Sequence, residues 1–468
     1  MIDDLPYLTI AEASKLIKAK QLSPVELTKA FLDRIEKLDP LIHSYILVTS
    51  EDALKEARAA EDEIMQGRWR GPLHGIPYAA KDNIETEGIV TTGNSALLAN
   101  DRPDSDATCI ALLKQAGGVL LGKTALREMA LGVRHDNLPW PYPINPWNRK
   151  YEFAGGSSTG SAAAVAAGLA ACALGTDTGG SVRNPSSFCG LVGMKPTYGR
   201  ISRAGVIPNT FSLDAVGPMT WTVEDCALML NVISGYDPRD PGSAREPIID
   251  FTTDLRKGVK SLRIGVVRHF HEDRLSPDDE MRRSFDEAVG QLADLGAEIL
   301  DVELGSLEDY QAVKIILSNA EFFSVHEKDL QERAHLFGPK LARRAIAGML
   351  VTAADYIQAQ RKRLRLCNEM LERFRSFDAM MTLTTIGPAP IDQPEKPSRA
   401  LQPPSLTMPF SVTGFPAMSV PTGFDRNGLP LAMQIVTRPF DEATAFRVGH
   451  AYEQSTPWHR QRPKWSSP

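Results

Sequence analysis

The segment from residue 71 to residue 217 constrains the fold of this chain more than any other part of the sequence. It is rich in glycine, alanine, serine and threonine, and short apolar runs alternate in it with segments of helical pattern. That alternation is typical of an α/β core, in which helices cover a sheet. Within it, Ala162 to Leu174 consists almost entirely of small residues and predicts a helix that packs closely inside such a core.

The flanking segments fit one integrated domain. Residues 1–70 predict a helical preface, with capping boxes at Thr9 and Ser23. A strand–helix–strand unit spans residues 262–304, and two strands joined through Asn427-Gly428 predict a hairpin near the end. We therefore predict one domain over residues 1–468. Residues 71–217 form its core, and residues 218–468 complete the sheet and add further helices.

Composition bears on several classes of protein. The 468 residues carry a formal net charge of −6 without a basic stripe, so we expect no direct nucleic-acid binding. The five cysteines contain no CxxC pair, which indicates neither zinc nor disulfides and fits reduced thiols in the cytoplasm. We find no signal peptide and no apolar run long enough to span a membrane. No metal or organic cofactor is indicated.

Residues 117–124 match the Walker A pattern of phosphate-binding loops in every letter. A phosphate loop follows a strand, has a polar glycine-rich interior and opens a helix. Here a predicted helix comes first, and the interior of the match is Val119-Leu120-Leu121. We interpret the segment as a short buried strand and not as a nucleotide site.

Residues 156–160 match the G-x-S-x-G nucleophile elbow, with Ser158 as the nucleophile. That motif needs an apolar strand directly upstream and a catalytic histidine later in the chain. The upstream segment, Arg149 to Ala154, is largely polar, and we interpret the later histidines as surface or core residues. The elbow is therefore not the interpretation we favour.

Lys81, Ser157 and Ser181 lie in three contexts rich in glycine, serine and threonine. A serine hydroxyl is a poor nucleophile until a base takes its proton, and a buried lysine can be that base. The glycines before Ser181 allow backbone N–H groups to approach a carbonyl oxygen, as an oxyanion site requires. The three side chains therefore predict nucleophilic catalysis, provided that they meet in the fold.

These segments resemble the amidase signature family, and the likeness extends over nearly the whole chain. It implies a single large α/β domain whose central mixed β-sheet is covered by helices on both faces. In that domain residues 71–217 would be the catalytic core, and residues 218–468 would include the variable helices that shape the substrate site. Thr159 departs from the glycine that many members have there, at a position without a catalytic role. The likeness rests on Lys81-Asp82-Asn83, on Gly155-Gly156-Ser157-Ser158 with Ser161-Ala162-Ala163, on Gly175-Thr176-Asp177-Thr178-Gly179-Gly180-Ser181-Val182-Arg183-Asn184-Pro185, and on Gly193-Met194-Lys195-Pro196-Thr197-Tyr198-Gly199-Arg200.

The resemblance also implies the role of each site residue. Ser181 would be the nucleophile that forms an acyl-enzyme, Ser157 the serine that relays its proton, and Lys81 the base behind Ser157. The peptide bond Gly156-Ser157 would be cis. The oxyanion site would use the backbone N–H groups of Thr178, Gly179, Gly180 and Ser181. The residues that brace these loops would be Ser158, Asp177 and Arg183.

Lys81 can act as a base only while it is uncharged. A free lysine has a pKa of ~10.4, and burial away from an anion lowers the pKa by up to ~3–5 units. The mostly apolar run Ile76 to Ala80 favours burial of Lys81. Asp82 is a candidate counter-charge, but adjacent residues of a strand point to opposite faces.

The sequence indicates the substrate less clearly. Candidate pocket residues are Met129, Trp140 and Tyr142, together with segments 135–142 and 318–349, although prolines also fit a surface turn at residues 140–143. We expect a stand-alone serine amidohydrolase that cleaves carbon–nitrogen bonds other than peptide bonds. Its substrate would be a small-molecule carboxylic amide, hydrazide or carbamate, and a homodimer is compatible with the sequence.

Two alternatives stay open. The first is the glutaminase component of a tRNA-dependent amidotransferase, its A subunit, to which Thr197 to Arg200 and Gly414-Phe415-Pro416 look similar. Against it, Gln402 to Ser405 lacks an acidic residue that would hold the amino group of glutamine. The second is a non-enzymatic module with a degenerate hydrolase core.

Overall fold

The computed structural model describes residues 2–132, 139–148, 150, 154–390 and 404–464. Within them the backbone forms one mixed sheet of eleven strands. The strands are β1 Tyr45–Val48, β2 Pro77–Lys81, β3 Val119–Thr124, β4 Cys172–Asp177, β5 Val192–Lys195, β6 Ala215–Thr220, β7 Arg263–Val266, β8 Glu298–Asp301, β9 Ala379–Leu383, β10 Ala417–Phe424 and β11 Pro430–Val436. Their spatial order is β1-β3-β2-β4-β6-β5-β10-β11-β9-β7-β8.

Strand direction brings the chemistry to one edge of the sheet. Strand β2 pairs in parallel with β3 on one side and with β4 on the other. The carboxyl ends of β2 and β4 therefore lie at the same edge, where ligands usually bind in sheets of this kind. Lys81 ends β2, and the segment from Thr178 to Ser181 follows β4 directly.

Helices flank this sheet, and one contiguous apolar cluster runs from Ile10 in the first helix to Tyr452 in the last. No helix among the described residues is both long and apolar enough to cross a membrane. The predicted single-domain α/β fold is confirmed. The helices are α1 Ile10–Lys18, α2 Pro24–Ile42, α3 Ser50–Met65, α4 Thr108–Gln115, α5 Thr159–Ala166, α6 Arg183–Cys189, α7 Val223–Ile233, α8 His269–Glu272, α9 Asp279–Asp294, α10 Leu307–Glu332, α11 Pro339–Ile346, α12 Ala353–Arg373, α13 Met408–Val412 and α14 Glu442–Gln454.

Local sequence signals set several of these boundaries. Thr9 and Glu12 form the predicted capping box of α1, and the Ser23 hydroxyl accepts bonds from the first turn of α2. The predicted hairpin is also confirmed, because β10 and β11 pair antiparallel around the turn that contains Gly428. Each signal satisfies backbone groups that a helix end or turn would otherwise leave unpaired.

The predicted helix from Ala162 to Leu174 is confirmed only as far as Ala166, and its extension to Leu174 is wrong. Helix α5 ends at Ala166, and Gly168 has a φ of 68°, the left-handed conformation that commonly ends a helix. The chain then enters β4, which pairs with β2 and β6. Alanine favours a helix intrinsically, but pairing at the centre of a buried sheet outweighs that preference.

The Walker-like segment is a buried strand, as predicted. Residues 119–124 are β3, and the Lys123 amine donates to the Ile84 carbonyl and to Thr91 Oγ1, both at 2.7 Å. It also lies 3.3 Å from Asp82 Oδ1, with both side chains fully buried. Asp82 therefore neutralises Lys123 and not Lys81, and Lys123 contributes to the core and not to a phosphate loop.

We expect Lys123→Met to lower the free energy of unfolding by about 3–5 kcal/mol, because it leaves the buried carboxylate of Asp82 without its cation. Chemical denaturation measures this. The double variant Asp82→Asn with Lys123→Met should recover part of the loss. The exposed pair of Lys257 with Asp254 gives a matched control, for which Lys257→Met should cost less than about 1 kcal/mol. Equal losses at both lysines would contradict the assignment.

Candidate active site

The amine of Lys81 reaches from the end of β2 into the loops beside β4. Its Nζ lies 2.8 Å from Ser157 Oγ and 2.7 Å from Thr176 Oγ1. The Thr176 hydroxyl also accepts a bond from Asn83 Nδ2 at 3.2 Å. Among the described residues no carboxylate forms an ion pair with Lys81. The side-chain groups that form hydrogen bonds with its amine are the hydroxyls of Ser157 and Thr176.

This environment favours the uncharged amine. Lys81 is fully buried, and burial lowers its pKa to about 7, although the negative charges of Asp177 and Asp214 act in the opposite direction. At neutral pH a large share of the molecules therefore has a lysine lone pair beside the Ser157 hydroxyl. The geometry fits a base that takes a proton from Ser157.

Ser157 stands in a loop with little room for side chains. The peptide bond Gly156–Ser157 is cis, as the resemblance implies. The Ser157 carbonyl accepts a bond from the Arg127 N–H at 3.1 Å. A Cβ at Gly156 would collide with the guanidinium of Arg127, so that this position requires glycine.

Ser158 has contacts that do not suit a nucleophile. It is fully buried, and its Oγ lies 3.2 Å from both the carbonyl oxygen and the N–H nitrogen of Thr176. Its own N–H donates to the Ser181 carbonyl at 3.2 Å. Ser158 therefore ties the Ser157 loop to β4 and to Ser181, which fits the predicted bracing position and not a nucleophile elbow.

Asp177 organises the loop after β4. It accepts bonds from the Gly180 N–H at 2.7 Å and from Arg183 Nε at 3.0 Å. Burial acts to raise its pKa, but Arg183 and the other donors outweigh burial and hold the pKa at about 2. Arg183 also donates hydrogen bonds to the side chains of Gln434 and Ser411, which connect the loop to β11 and α13.

One of the four backbone N–H groups predicted for the oxyanion site already has a hydrogen-bond partner in the structure. The Gly180 N–H is engaged by Asp177. The N–H groups of Thr178, Gly179 and Ser181 donate to no other described residue. In this conformation only the Gly180 N–H is already engaged, and the role of the other three as oxyanion donors stays a prediction.

The last contact of the proposed relay is not closed in this structure. The Ser181 hydroxyl forms no hydrogen bond within the described part of the chain, although its carbonyl is bonded to Ser158. Catalytic hydrogen bonds are often long without substrate and shorten in the complex. Lys81 and Ser157 thus meet as predicted, and Ser181 lies in the adjoining loop with a free hydroxyl.

The predicted pocket residues differ in their relation to this site. Met129 is buried, and its N–H bonds to the Gly93 carbonyl at 2.8 Å. Tyr142 OH accepts a bond at 2.8 Å from Nε of Arg127, which also contacts the Ser157 loop. Trp140 is half-buried, and residues 135–138 of the predicted segment lie outside the described residues. A pocket role for these residues stays a prediction.

Three residues near the oxyanion loop escaped the sequence analysis. Thr407 Oγ1 donates to the Gly179 carbonyl at 2.9 Å, and Asp214 accepts a bond from Thr178 Oγ1 at 2.5 Å. The buried Lys314 of α10 packs against Gly179, where a Cβ would lie 3.1 Å from its Cε. All three are distant from the motifs in sequence, and no local pattern marks them. Among the described residues, no cluster of His, Cys, Asp or Glu is arranged to hold a metal.

Comparison with known proteins supports the family. A family model described as Amidase matches residues 26–446. The A subunit of the glutamyl-tRNA(Gln) amidotransferase of Carboxydothermus hydrogenoformans is 39% identical, over 98% of this chain and 100% of its own. The chain belongs to the amidase signature family. It is a hydrolase of the class that acts on carbon–nitrogen bonds.

Solved structures extend this comparison. The A subunit of the glutamyl-tRNA(Gln) amidotransferase of Thermotoga maritima has a TM-score of 0.80 at 32% identity, with 97% of this chain and 96% of that chain covered. A structure from an inhibitor-bound vestigial protein complex, described in connection with an s-triazine catabolic enzyme, has a TM-score of 0.89 at 31% identity. It covers 96% of this chain and 98% of its own.

These findings overturn two expectations. The stand-alone amidase is wrong as the main interpretation, because curated relatives that are 39–40% identical over 97–98% of this chain are amidotransferase A subunits. A small-molecule substrate with no nucleic acid, acted on by a single chain or homodimer, is contradicted for the same reason. Lys81, Ser157 and Ser181 alone do not distinguish a stand-alone amidase from an amidotransferase subunit. The net charge of one chain does not indicate what a complex containing such a chain binds.

We predict that acylation of Ser181 rises with pH through about 7 and then levels off, because only uncharged Lys81 accepts a proton. The measurement is the rate of labelling by a fluorophosphonate from pH 5 to pH 10. Lys195 gives a matched control, since burial also lowers its pKa to about 7. Lys195→Met should keep the rise and Lys81→Met should abolish it. A rise near the free-lysine value of ~10.4 would contradict the prediction.

We also predict that Ser181→Ala and Lys81→Met each lower amide hydrolysis by roughly 10⁴-fold or more, as expected for loss of a nucleophile or its base. Ser181→Ala should leave the melting temperature nearly unchanged, because the hydroxyl bonds to no other described residue. Steady-state kinetics and thermal unfolding measure the two effects. Wild-type turnover in Ser181→Ala would refute the nucleophile.

Proposed function

We propose that this chain is the glutaminase subunit of a tRNA-dependent amidotransferase. In this proposal it hydrolyses the side-chain amide of glutamine, and a partner protein uses the ammonia to displace the leaving group from an activated side-chain carboxyl of glutamyl-tRNA(Gln). The observation that carries the proposal is the likeness to the A subunit of glutamyl-tRNA(Gln) amidotransferase along the full length of both chains. The contact of Lys81 with Ser157 supplies chemistry that suits it.

The proposed chemistry starts from the observed contact of Lys81 with Ser157 and needs a second contact, between Ser157 and Ser181, that forms in the complex with substrate. Lys81 takes the Ser157 proton while Ser157 takes the Ser181 proton, and Ser181 Oγ attacks the amide carbon. The proton returns through Ser157 to the leaving nitrogen, which departs as ammonia. The same relay then takes a proton from a water molecule, which attacks the ester. Glutamate is released, and the Ser181 hydroxyl is restored. One water is consumed for each glutamine.

Charge on the tetrahedral intermediate needs donors fixed in advance. In the proposal the N–H groups of Thr178, Gly179 and Ser181 bind the oxyanion, and Asp177 with Arg183 braces the loop. Such donors act strongly because they need no reorganisation during the reaction. Residues 71–217 would supply this chemistry, and residues 1–70 and 218–468 would support and shape the site. The link to tRNA favours a cytoplasmic location.

The segment before α13 bears on glutamine recognition. Residues 391–403 lie outside the described residues, whereas Ser405 is described and its Oγ lies 2.8 Å from Thr407 Oγ1. Thr407 in turn bonds to the carbonyl of Gly179. The segment thus meets the oxyanion loop through hydroxyls. The amino group of glutamine would be recognised by groups other than an acid at residues 402–405.

We predict that the chain purified from its native host through an affinity tag brings down further subunits, and that glutamine hydrolysis rises at least about tenfold in that complex over the isolated chain. Ammonia release, with formation of glutaminyl-tRNA from glutamyl-tRNA, is the measurement. The complex assembled with Ser181→Ala is the control, and it should make product only with added ammonium. Efficient cleavage of aryl or aliphatic amides by the isolated chain, with none of glutamine, would refute the proposal.

A further inference from the structure

The loop before β6 lies between α10 and the oxyanion loop. Asp214 is its last residue and is buried. One carboxylate oxygen accepts a bond from Thr178 Oγ1 at 2.5 Å. The other accepts bonds from the N–H groups of Asn209 at 2.9 Å and Thr210 at 3.0 Å. All three donors therefore converge on one side chain.

The same loop is fixed on its other side by α10. Thr210 Oγ1 lies 2.8 Å from Ser318 Oγ. Ser212 donates to Glu321 through its N–H at 2.9 Å and through its hydroxyl at 2.6 Å. Asp214 thus stands on a rigid support, and what it holds on the site side is Thr178.

We propose that Asp214 is a positioning residue that fixes the direction of the Thr178 N–H in the oxyanion site. The proposal rests on the part of the proposed function that makes Ser181 the nucleophile, and it does not depend on glutamine as the substrate. Asp214 itself touches no reacting atom. It acts through the Thr178 side chain.

The sequence of the loop explains why a side-chain tether is needed there. Thr178 is followed by two glycines, and Gly180 has a φ of 114°, a conformation that few side chains tolerate. Glycines leave the backbone free to change direction, so the N–H groups point consistently only if neighbours hold them. Asp177 holds Gly180, Thr407 holds the Gly179 carbonyl, and Asp214 holds Thr178.

The bond from Thr178 to Asp214 joins a side chain of the oxyanion loop to a carboxylate outside that loop. Hydrogen bonds to a carboxylate are shorter and stronger than bonds between neutral groups. Burial raises the pKa of Asp214 to about 6, although its three hydrogen bonds and Arg203 oppose this. Above that pH the carboxylate is ionised and the tether is at full strength.

The charge of Asp214 also reaches the base. The negative charges of Asp177 and Asp214 raise the pKa of Lys81, whereas Arg127 lowers it. Removing the Asp214 charge therefore leaves the lysine with a lower pKa. The rise of acylation with pH should then begin at a lower pH, an effect that loss of packing alone does not produce.

The test compares Thr178→Val, Thr178→Ser and Asp214→Asn by the rate at which a fluorophosphonate labels Ser181. We expect Thr178→Val to slow labelling by about 10- to 100-fold, since misplacement of a catalytic donor by about 1 Å can cost about 100-fold. Thr178→Ser, which keeps the hydroxyl, should restore the rate to within about threefold of wild type. Thr178→Val with the wild-type rate overturns the proposal.

Asp214→Asn should slow labelling and shift the rise with pH to a lower pH. The matched control for loss of one negative charge is Asp279→Asn, whose side chain is almost fully exposed on α9. Asp214→Asn with both the wild-type rate and the wild-type pH profile overturns the proposal. If Asp214→Asn does not fold, the comparison of Thr178→Val with Thr178→Ser tests the proposal by itself. A wild-type chain that labels at Ser181 but ignores glutamine refutes only the substrate, whereas a wild-type chain that does not label at Ser181 overturns both.

Discussion

The structure of the site depends on the burial of one lysine amine among hydroxyls. Lys81 lies between Ser157 and Thr176, and no carboxylate pairs with it among the described residues. An ammonium ion in that position would be costly, so the pKa falls toward neutrality. Without this effect Ser157 would face a charged lysine with no lone pair, and the hydroxyl of Ser181 would have no route for its proton.

A comparison with Lys123 shows how specific this arrangement is. Both lysines are fully buried and lie in neighbouring parallel strands, but Lys123 has Asp82 beside it. Asp82 follows Lys81 directly in the chain, in the turn after β2, and its carboxylate lies beside the amine of Lys123. The turn thus gives the carboxylate to the structural lysine and withholds it from the lysine that faces Ser157.

The sequence could predict those parts of the site that lie within contiguous motifs. Lys81, Ser157, the cis bond before it and the glycine-rich approach to Ser181 all belong to short segments with local signals. Asp214, Thr407 and Lys314 could not be found, since only the fold brings them to the oxyanion loop. The position at which α5 ends was predicted wrongly for a related reason. Alanine has no local feature that distinguishes a buried strand from a helix, and the strand pairing that decides it is non-local.

The sequence predicted the class of reaction correctly but the kind of enzyme wrongly, because different amidase signature enzymes share the same catalytic motifs. In the proposed mechanism, hydrolysis of any amide through Ser181 needs the same base, relay and oxyanion donors, so the motifs indicate the bond that is cleaved and not the molecule that carries it. Substrate identity depends on what surrounds the loop. There, α10 contributes Lys314 beside Gly179, and the segment before α13 contributes Thr407. Two of the segments that contact the oxyanion loop are thus, in the proposed function, segments that shape the substrate site. Under that proposal, a change of substrate carries a constraint: new side chains on α10 or before α13 must also keep the N–H groups of Thr178 and Gly179 in place.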